Sequence, residues 1–275
     1  MTTPSPIKKG IIGVLGGRGM LGADLVKYLG EWYETVAIDK DDYEKYRGCS
    51  YDMLVNANGN SRRFWANQNP RDDFYASTVS VYESLGDFRY GAYVYISSSD
   101  VYPDHTTPSA AREDVSIDPT RLSPYGFHKY LAERVVEQKC ARQKNYLILR
   151  SSMILGTSLK KGPFYDILRG GPLFVALESQ LQLITTRAIA EIVRVLLEQG
   201  VRGEIFNVGG KGTFPLQDTK RYFAESVAVA PGAETQVYEM NVGKVSKYYP
   251  LKTSEEYLRE FLSHGKKEDS KQEKI

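Results

Sequence analysis

The chain has 275 residues, 41% hydrophobic and 25% charged, with 36 basic against 34 acidic side chains and a net charge of +2. This composition supplies a sizeable core and excludes wholesale disorder. The charge balance leaves no electrostatic footprint for nucleic acid or an anionic membrane, and no stretch approaches the roughly 20 apolar residues of a membrane span.

The polar start, MTTPSPIKKG, lacks the apolar core of a secretory signal, so a cytoplasmic location is expected. Ile11 to Leu15 reads as a buried strand, followed by a glycine cluster and then by helical spacing from Leu21 to Leu29, closed by Gly30. Thr35–Ile38 and Met53–Val55 read as the next strands, and Asp73–Leu85 as a helix. Tyr93–Ile96 is another strand. Pro124 to Gln138 is helical, with Ser123 as N-cap and Pro124 in the first turn. Tyr146–Leu149 is again a strand. Beyond Arg150 the pattern loosens: Ala188–Leu197 reads as a helix, Glu204–Val208 as a strand and Ser254–Leu262 as a last helix. Alternating helices and near-continuous apolar strands predict an α/β fold with a parallel sheet covered on both faces. The expected organisation is a dinucleotide-binding domain over 1–150, a smaller lobe over 151–264 interleaved with the last strands, and a flexible tail over 265–275. Cys49 and Cys140 are expected as free thiols. His105, His128 and His264 do not fall at ligand spacing, so no metal is expected.

The glycines at 16, 19 and 22 stand between the first strand and the first helix. There a tight turn must leave the strand, the backbone must approach a pyrophosphate, and the helix N-terminus offers unpaired N–H groups and the positive end of its dipole. Asp39 ends the second strand about 20 residues on, where an acceptor for a ribose hydroxyl belongs. Asp39 favours NAD, because a 2′-phosphate would face a carboxylate; Arg18 and Lys40 point toward NADP. The cluster Gly209-Gly210-Lys211-Gly212-Thr213 is not a phosphate loop, since Ile205 stands where that motif needs glycine.

Tyr125 and Lys129 lie four apart on a predicted helix and share a face. A free phenol titrates near pH ~10, and a neighbouring ammonium lowers that value, which makes proton exchange with a substrate hydroxyl feasible. Ser97-Ser98-Ser99 follows a strand end, where a hydroxyl can hold a substrate oxygen. A tyrosine four residues before a lysine arises readily by chance among 20 tyrosines; its weight comes from lying downstream of the glycine loop.

These residues together resemble the extended short-chain dehydrogenase/reductases, the NAD-dependent epimerase/dehydratase family. The matching segments are GGRGMLG (16–22), Asp39, VYISSSDVY (94–102), SPYGFHKYLAE (123–133), LRSSMILG (149–156), GEIFNVGG (203–210) and YYPLKTSEEYLREFL (248–262). The resemblance implies a Rossmann-type doubly wound parallel sheet with a small C-terminal α/β substrate lobe. It implies Tyr125 as acid/base, Lys129 on the nicotinamide ribose, and Ser98, aligned on Val101-Tyr102, as the catalytic hydroxyl. Gly16, Arg18, Gly19, Met20, Leu21, Gly22, Asp39, Lys40, Asn56, Ala57 and Asn58 are the expected cofactor contacts, with Ser99, Asp100 and Met153 on the substrate side. The implied chemistry is hydride transfer between NAD, or NADP, and a sugar or nucleotide-sugar carbinol or ketone, as epimerase or reductase.

The departures are as informative. Ser98-Ser99-Asp100 replaces the Thr-Asp-Glu of the family's dehydratases, which disfavours 4,6-dehydration. Met153, Gln180, Arg187 and Ser77 replace the usual Asn, Arg, Asp and Asn, and Asn56-Ala57-Asn58-Gly59 replaces a His-Leu-Ala-like run. Lys160, Lys161 and Arg187 offer another route to anion contacts, although the two lysines read first as a solvated basic surface. The family often dimerises through the Tyr–Lys helix, so Tyr130, Leu131 and Val135 are candidates for a homodimer interface or for core packing. The alternative function is a non-catalytic dinucleotide-binding regulator on the same fold.

Overall fold

A computed structural model describes residues 9–59, 63–223 and 227–272; most of the N-terminal segment weighed as a signal, and 273–275 of the expected tail, lie outside them. The chain divides into two compact units: residues 1–103, 117–150 and 187–206 form the first, and 104–116, 151–186 and 207–275 the second. Compared with a boundary at residue 150, the helical segment near 190 belongs to the first unit and the loop 104–116 to the second.

The first unit is built on a parallel six-stranded sheet. Its strands are β1 (Ile11–Leu15), β2 (Glu34–Ile38), β3 (Ser50–Asn56), β4 (Arg89–Ser98), β5 (Tyr146–Ser151) and β10 (Glu204–Val208). Their order is β10-β5-β4-β3-β1-β2, so the chain leaves β1 toward one edge and continues from β3 toward the other. The carboxyl ends of β1 and β3 therefore flank the crevice where open α/β sheets bind ligands. Register is continuous through it: Leu15 pairs with Asn56, and Asn56 with Tyr95. The flanking helices are α1 (Met20–Leu29), the short α2 (Tyr43–Tyr46), α3 (Arg63–Gln68), α4 (Pro70–Phe74), α5 (Ser80–Asp87), α6 (Pro124–Cys140) and α8 (Thr186–Glu198). Ile189, Ile192, Val193 and Leu196 are buried along α8, the stripe that a 3.6-residue period demands.

One face of the sheet packs Tyr93, Tyr95 and Ile148 against Val81 and Leu85 of α5 and Ala132 and Val136 of α6. Burying each of the aliphatic side chains larger than alanine contributes about 1.5–3 kcal/mol. The helix expected over 73–85 is split: a π-turn (Tyr75–Val79) joins α4 to α5 and places Ser77 and Thr78 in the interior. The short α3 carried no recognisable period and was not anticipated.

The second unit holds three small sheets. β8 (Gln180–Leu181) pairs with β11 (Phe214–Pro215) and β13 (Val237–Tyr238); β7 (Leu173–Val175) pairs with β12 (Val229–Glu234); and β6 (Met153–Leu155) pairs with β9 (Leu183–Thr185). Leu155, Phe164 of α7 (Pro163–Leu168), Leu183, Phe214 and Leu258 of α9 (Ser254–Gln272) share its core. The expected end of the last helix at Leu262 is corrected: α9 runs to Gln272 through most of the stretch read as a tail. Lys, Glu and Gln there favour helix. Among the described residues, no helix is long and apolar enough to cross a membrane.

Candidate active site

The turn after β1 is held by glycines that no other residue can replace. Gly16 adopts φ +70°, and a Cβ there would meet the Asn58 backbone at 3.0 Å; a Cβ on Gly22 would lie 1.9 Å from the Gly16 carbonyl oxygen. Loop and helix thus approach as closely as backbone allows, and the turn after β3 closes against the loop. Gly19, the N-cap of α1, contributes no side-chain cap, so the N–H groups of the first turn through Met20, Leu21 and Gly22 have no side-chain acceptor at that cap. Asp39, just beyond β2, accepts hydrogen bonds from the Arg18 and Lys40 amides at 3.2 and 3.0 Å. Arg18 turns its guanidinium to Asp42 in a close ion pair.

Beyond the crevice, β4 ends at Ser98. Strand alternation puts Tyr93, Tyr95 and Ser97 on one face. Ser97 donates to Glu133 in the interior at 2.6 Å, while Ser98 stands near enough to the Tyr125 hydroxyl to influence its proton. Ser98 also donates to Asp100 Oδ2 at 2.9 Å, and Asp100 Oδ1 accepts from Arg63 at 2.9 Å. Tyr125 lies in the first turn of α6. Ser123 caps that helix by accepting from the Gly126 amide at 3.2 Å, and the Tyr125 amide donates to Asn67 of α3. A Cβ on Gly126 would fall 2.2 Å from the Asp100 carbonyl oxygen, so this glycine is what lets α6 press against the end of β4. Lys129, one turn on, donates to the Ile96 carbonyl at 3.3 Å and lies over the Tyr95 ring. A Cβ on Gly59, in the turn after β3, would lie 3.3 Å from its Nζ. The glycine loop, the 56–59 turn, Ser98, Tyr125 and Lys129 therefore form one continuous site within the first unit.

The electrostatics correct one expectation. Burial, and then the Asp100 carboxylate, push the Tyr125 phenol well above its ordinary value; Ser98 and the charge of Arg63 offset this only in part. Burial pushes Lys129 down to about 8, against the raising influence of Asp73, Glu133 and Asp100. Desolvation is the largest influence on both groups, because both are buried away from water.

The Lys129 shift has a consequence for stability. Its proton leaves near pH 8 in the folded chain and near 10.5 in the unfolded one, so between those values the unfolded chain binds more protons. Stability should rise with pH there, by about 2 kcal/mol from pH 8 to 10 for this group. Urea unfolding at stepped pH checks this against Lys129→Met, which should lose that increment; an identical slope in both proteins refutes it.

Several expected contacts are placed differently. Asn56 is fully buried and its side chain is spent internally, donating to Tyr93 and Ser84 and accepting from the Asn58 amide. It shapes the turn instead of facing a ligand. Ala57 donates its amide to the Leu15 carbonyl, tying the turn to β1. Ser99 is buried in a 3-10 turn (Ser99–Val101). Met153 opens β6 in the second unit and donates its amide to the Gln182 carbonyl. Arg187 pairs with Glu31 and Glu191, so its charge is already compensated.

Sequence reasoning missed Arg63, Asn67, Asp73 and the pair Glu133–Arg150, because their partners lie far along the chain. Glu133 is 0% exposed and Arg150 2%. Arg150 donates to both Glu133 oxygens, at 2.7 Å from Nη2 and 3.0 Å from Nε, and to the Tyr102 hydroxyl at 2.8 Å. Burial works against the guanidinium's charge, but Glu133 outweighs it and holds the group protonated. This clamp joins α6, β5 and the segment after β4, the elements that carry Tyr125 and Ser98.

A family model described as the NAD dependent epimerase/dehydratase family matches residues 12–209. No curated protein matches the sequence. Solved structures share the fold. One is dTDP-4-dehydrorhamnose reductase from Bacillus anthracis in complex with NADP, with TM-score 0.77 and 16% identity over 94% of this chain and 100% of that one. A second is UDP-glucuronic acid 4-epimerase from Bacillus cereus in complex with UDP-glucuronic acid and NAD, with TM-score 0.71 and 18% identity over 94% and 99%. A third is RMD from Pseudomonas aeruginosa complexed with NADPH, with TM-score 0.73 and 16% identity over 93% and 98%.

Proposed function

The chain belongs to the NAD dependent epimerase/dehydratase family, and from that premise we propose that it is an NAD(P)-dependent epimerase or reductase acting on a carbinol or ketone of a sugar nucleotide, with Tyr125 as acid/base. The observation that carries this reading is the convergence of Ser98, Tyr125 and Lys129 at the crevice bounded by the glycine loop. The solved structures of like fold include reductases and epimerases whose ligands are NADP, NAD and UDP-glucuronic acid.

The residues fit a dinucleotide. The backbone of Gly16, Gly19, Met20, Leu21 and Gly22 would hold its pyrophosphate at an uncapped helix start, Asp39 a ribose, Ala57 and Asn58 the adjacent edge, and Lys129 the second ribose. Arg18 is paired with Asp42, and Asp39 and Asp41 add negative charge around it. That patch favours NAD over a 2′-phosphate. When bound, the nicotinamide supplies the redox chemistry.

The protein's part is to place the substrate oxygen and move one proton. Ser98 Oγ orients that oxygen. Tyr125, kept protonated by burial, donates its hydroxyl proton as a ketone becomes a carbinol, and as phenolate takes the proton back in the reverse direction. The Lys129 ammonium steadies the phenolate. Asp100 is tied to Ser98 and Arg63, which fits poorly with a dehydratase acid. On α6, Tyr130 and Leu131 are half-buried and suit a homodimer contact, whereas Val135 packs on the core.

The test is a panel of UDP- and dTDP-sugars and 4-keto sugars incubated with the purified protein. A reductase consumes the reduced-nicotinamide absorbance; an epimerase interconverts sugars with no net change in it. Absence of both activities, together with absence of NAD(P) binding by calorimetry, overturns the reading.

A further inference from the structure

Beneath the Ser98–Tyr125–Lys129 group lies a second set of polar side chains that the proposed reaction does not use. Asp73 of α4 is 0% exposed, and His128, the residue before Lys129, is 6% exposed. The His128 Nδ1–H donates to Asp73 Oδ2 at 2.7 Å, and the Ser77 hydroxyl donates to Asp73 Oδ1 at 3.1 Å. Thr78 donates to the His128 carbonyl at 3.0 Å, and the Phe74 ring stands edge-on to the imidazole. The π-turn (Tyr75–Val79) carries Ser77 and Thr78 inward to make these bonds. The arrangement fixes a carboxylate in the interior, where an ionised group is costly unless it is hydrogen-bonded and faces a counter-charge.

The hydrogen bonds are in place, and the geometry links this carboxylate to Lys129 through Ser77. The point where a Gly59 side chain would begin lies 3.3 Å from Lys129 Nζ and 3.7 Å from Ser77 Oγ. Ser77, which orients Asp73, and the ammonium thus border the same small gap. We propose that Asp73 is a positioning residue: its buried carboxylate, fixed by His128 and Ser77, is the counter-charge that keeps Lys129 protonated within the site.

The other groups around Lys129 do not fill this role. Glu133 of α6 is taken by Arg150 of β5 at 2.7 Å. Asp100, after β4, is shared between Ser98 and Arg63 of α3. Tyr95 of β4 offers its ring face, Tyr125 of α6 is a neutral phenol, and His128 faces Asp73. Among the carboxylates acting on Lys129, Asp73 has the largest influence and Glu133 the next. Burial alone would strip the proton from a lysine in this place, and an opposite charge nearby restores it. The proposal names a residue for the role that Lys129 has in the proposed function, and so rests on that reading.

The experiment reads Lys129 directly and needs no substrate. In full-length protein labelled selectively on lysine, the side-chain nitrogen of Lys129 is titrated by NMR, its resonance assigned by its loss in Lys129→Met. Asp73→Asn, which keeps the shape and hydrogen-bonding capacity, should lower the midpoint from about 8 by about one unit or more. Asp73→Glu, which keeps the charge, should hold the midpoint near the wild-type value. If Asp73→Asn fails to fold, the double variant Asp73→Leu/His128→Phe replaces the pair by apolar groups and should show the same fall. A midpoint unchanged on neutralising Asp73, or an equal fall in Asp73→Glu, overturns the proposal. Failure of turnover in the sugar panel would leave this titration intact, so the two readings fail separately.

Discussion

Tyr125→Phe is expected to cut turnover by about 10²- to 10⁴-fold while leaving dinucleotide affinity nearly unchanged. The substitution removes one hydroxyl from a buried ring and alters neither the packing of α6 nor the glycine loop. The lost oxygen is the one influenced by Ser98, Asp100 and Arg63. Gly126 permits the close approach that brings this turn of α6 to the end of β4. Steady-state rates on the active sugar nucleotide, with calorimetric binding of NAD, check it. Turnover within tenfold of wild type would remove Tyr125 from the proton path. The alternative of a dinucleotide-binding regulator predicts no loss of function from this change, so the same variant separates the two.

Glu133→Ala is expected to destabilise the protein by about 3–5 kcal/mol, because it leaves a buried guanidinium without the carboxylate bonded to it. Arginine cannot shed its proton to escape the penalty. Arg150 would retain only the Tyr102 hydroxyl, and Ser97 would lose its acceptor. Replacing both partners, Glu133→Leu with Arg150→Met, should recover most of the loss, since a well-packed apolar pair removes the charge together with its desolvation cost. Urea unfolding of the two single variants and the double variant measures the coupling. A loss under about 1 kcal/mol in Glu133→Ala would place the pair among solvent-screened ion pairs and contradict its burial.

The local part of this architecture was legible from the chain. Apolar runs such as Ile11–Leu15 and Tyr146–Leu149 announced strands, because a strand buried on both faces has no polar alternation to hide. The glycines at 16, 19 and 22 announced a turn that admits no Cβ, and Ser123-Pro124 announced the start of α6. Tyr125 and Lys129 were visible as a pair because four residues make one helical turn. All of these signals act within a few residues, and there propensity, capping and periodicity are decisive.

What the chain could not show was how distant segments meet. Asn56 is expected as a cofactor contact from the family resemblance, yet Tyr93 and Ser84 draw its side chain inward. Asp73, Arg63, Glu133 and Arg150 carry no motif; each acquires its role from a partner 17 to 55 residues away. The tyrosines show the same division. Sequence singled out Tyr125 through its neighbour Lys129, whereas only the tertiary structure buried Tyr93 and Tyr95 in the core and laid Tyr95 against the ammonium. The sequence by itself determined the main strands and helices of the first unit, the dinucleotide turn and the Tyr–Lys pair. The tertiary structure decided the protonation of that pair, because desolvation and the field of buried charges depend on what surrounds a group and not on what adjoins it in the chain.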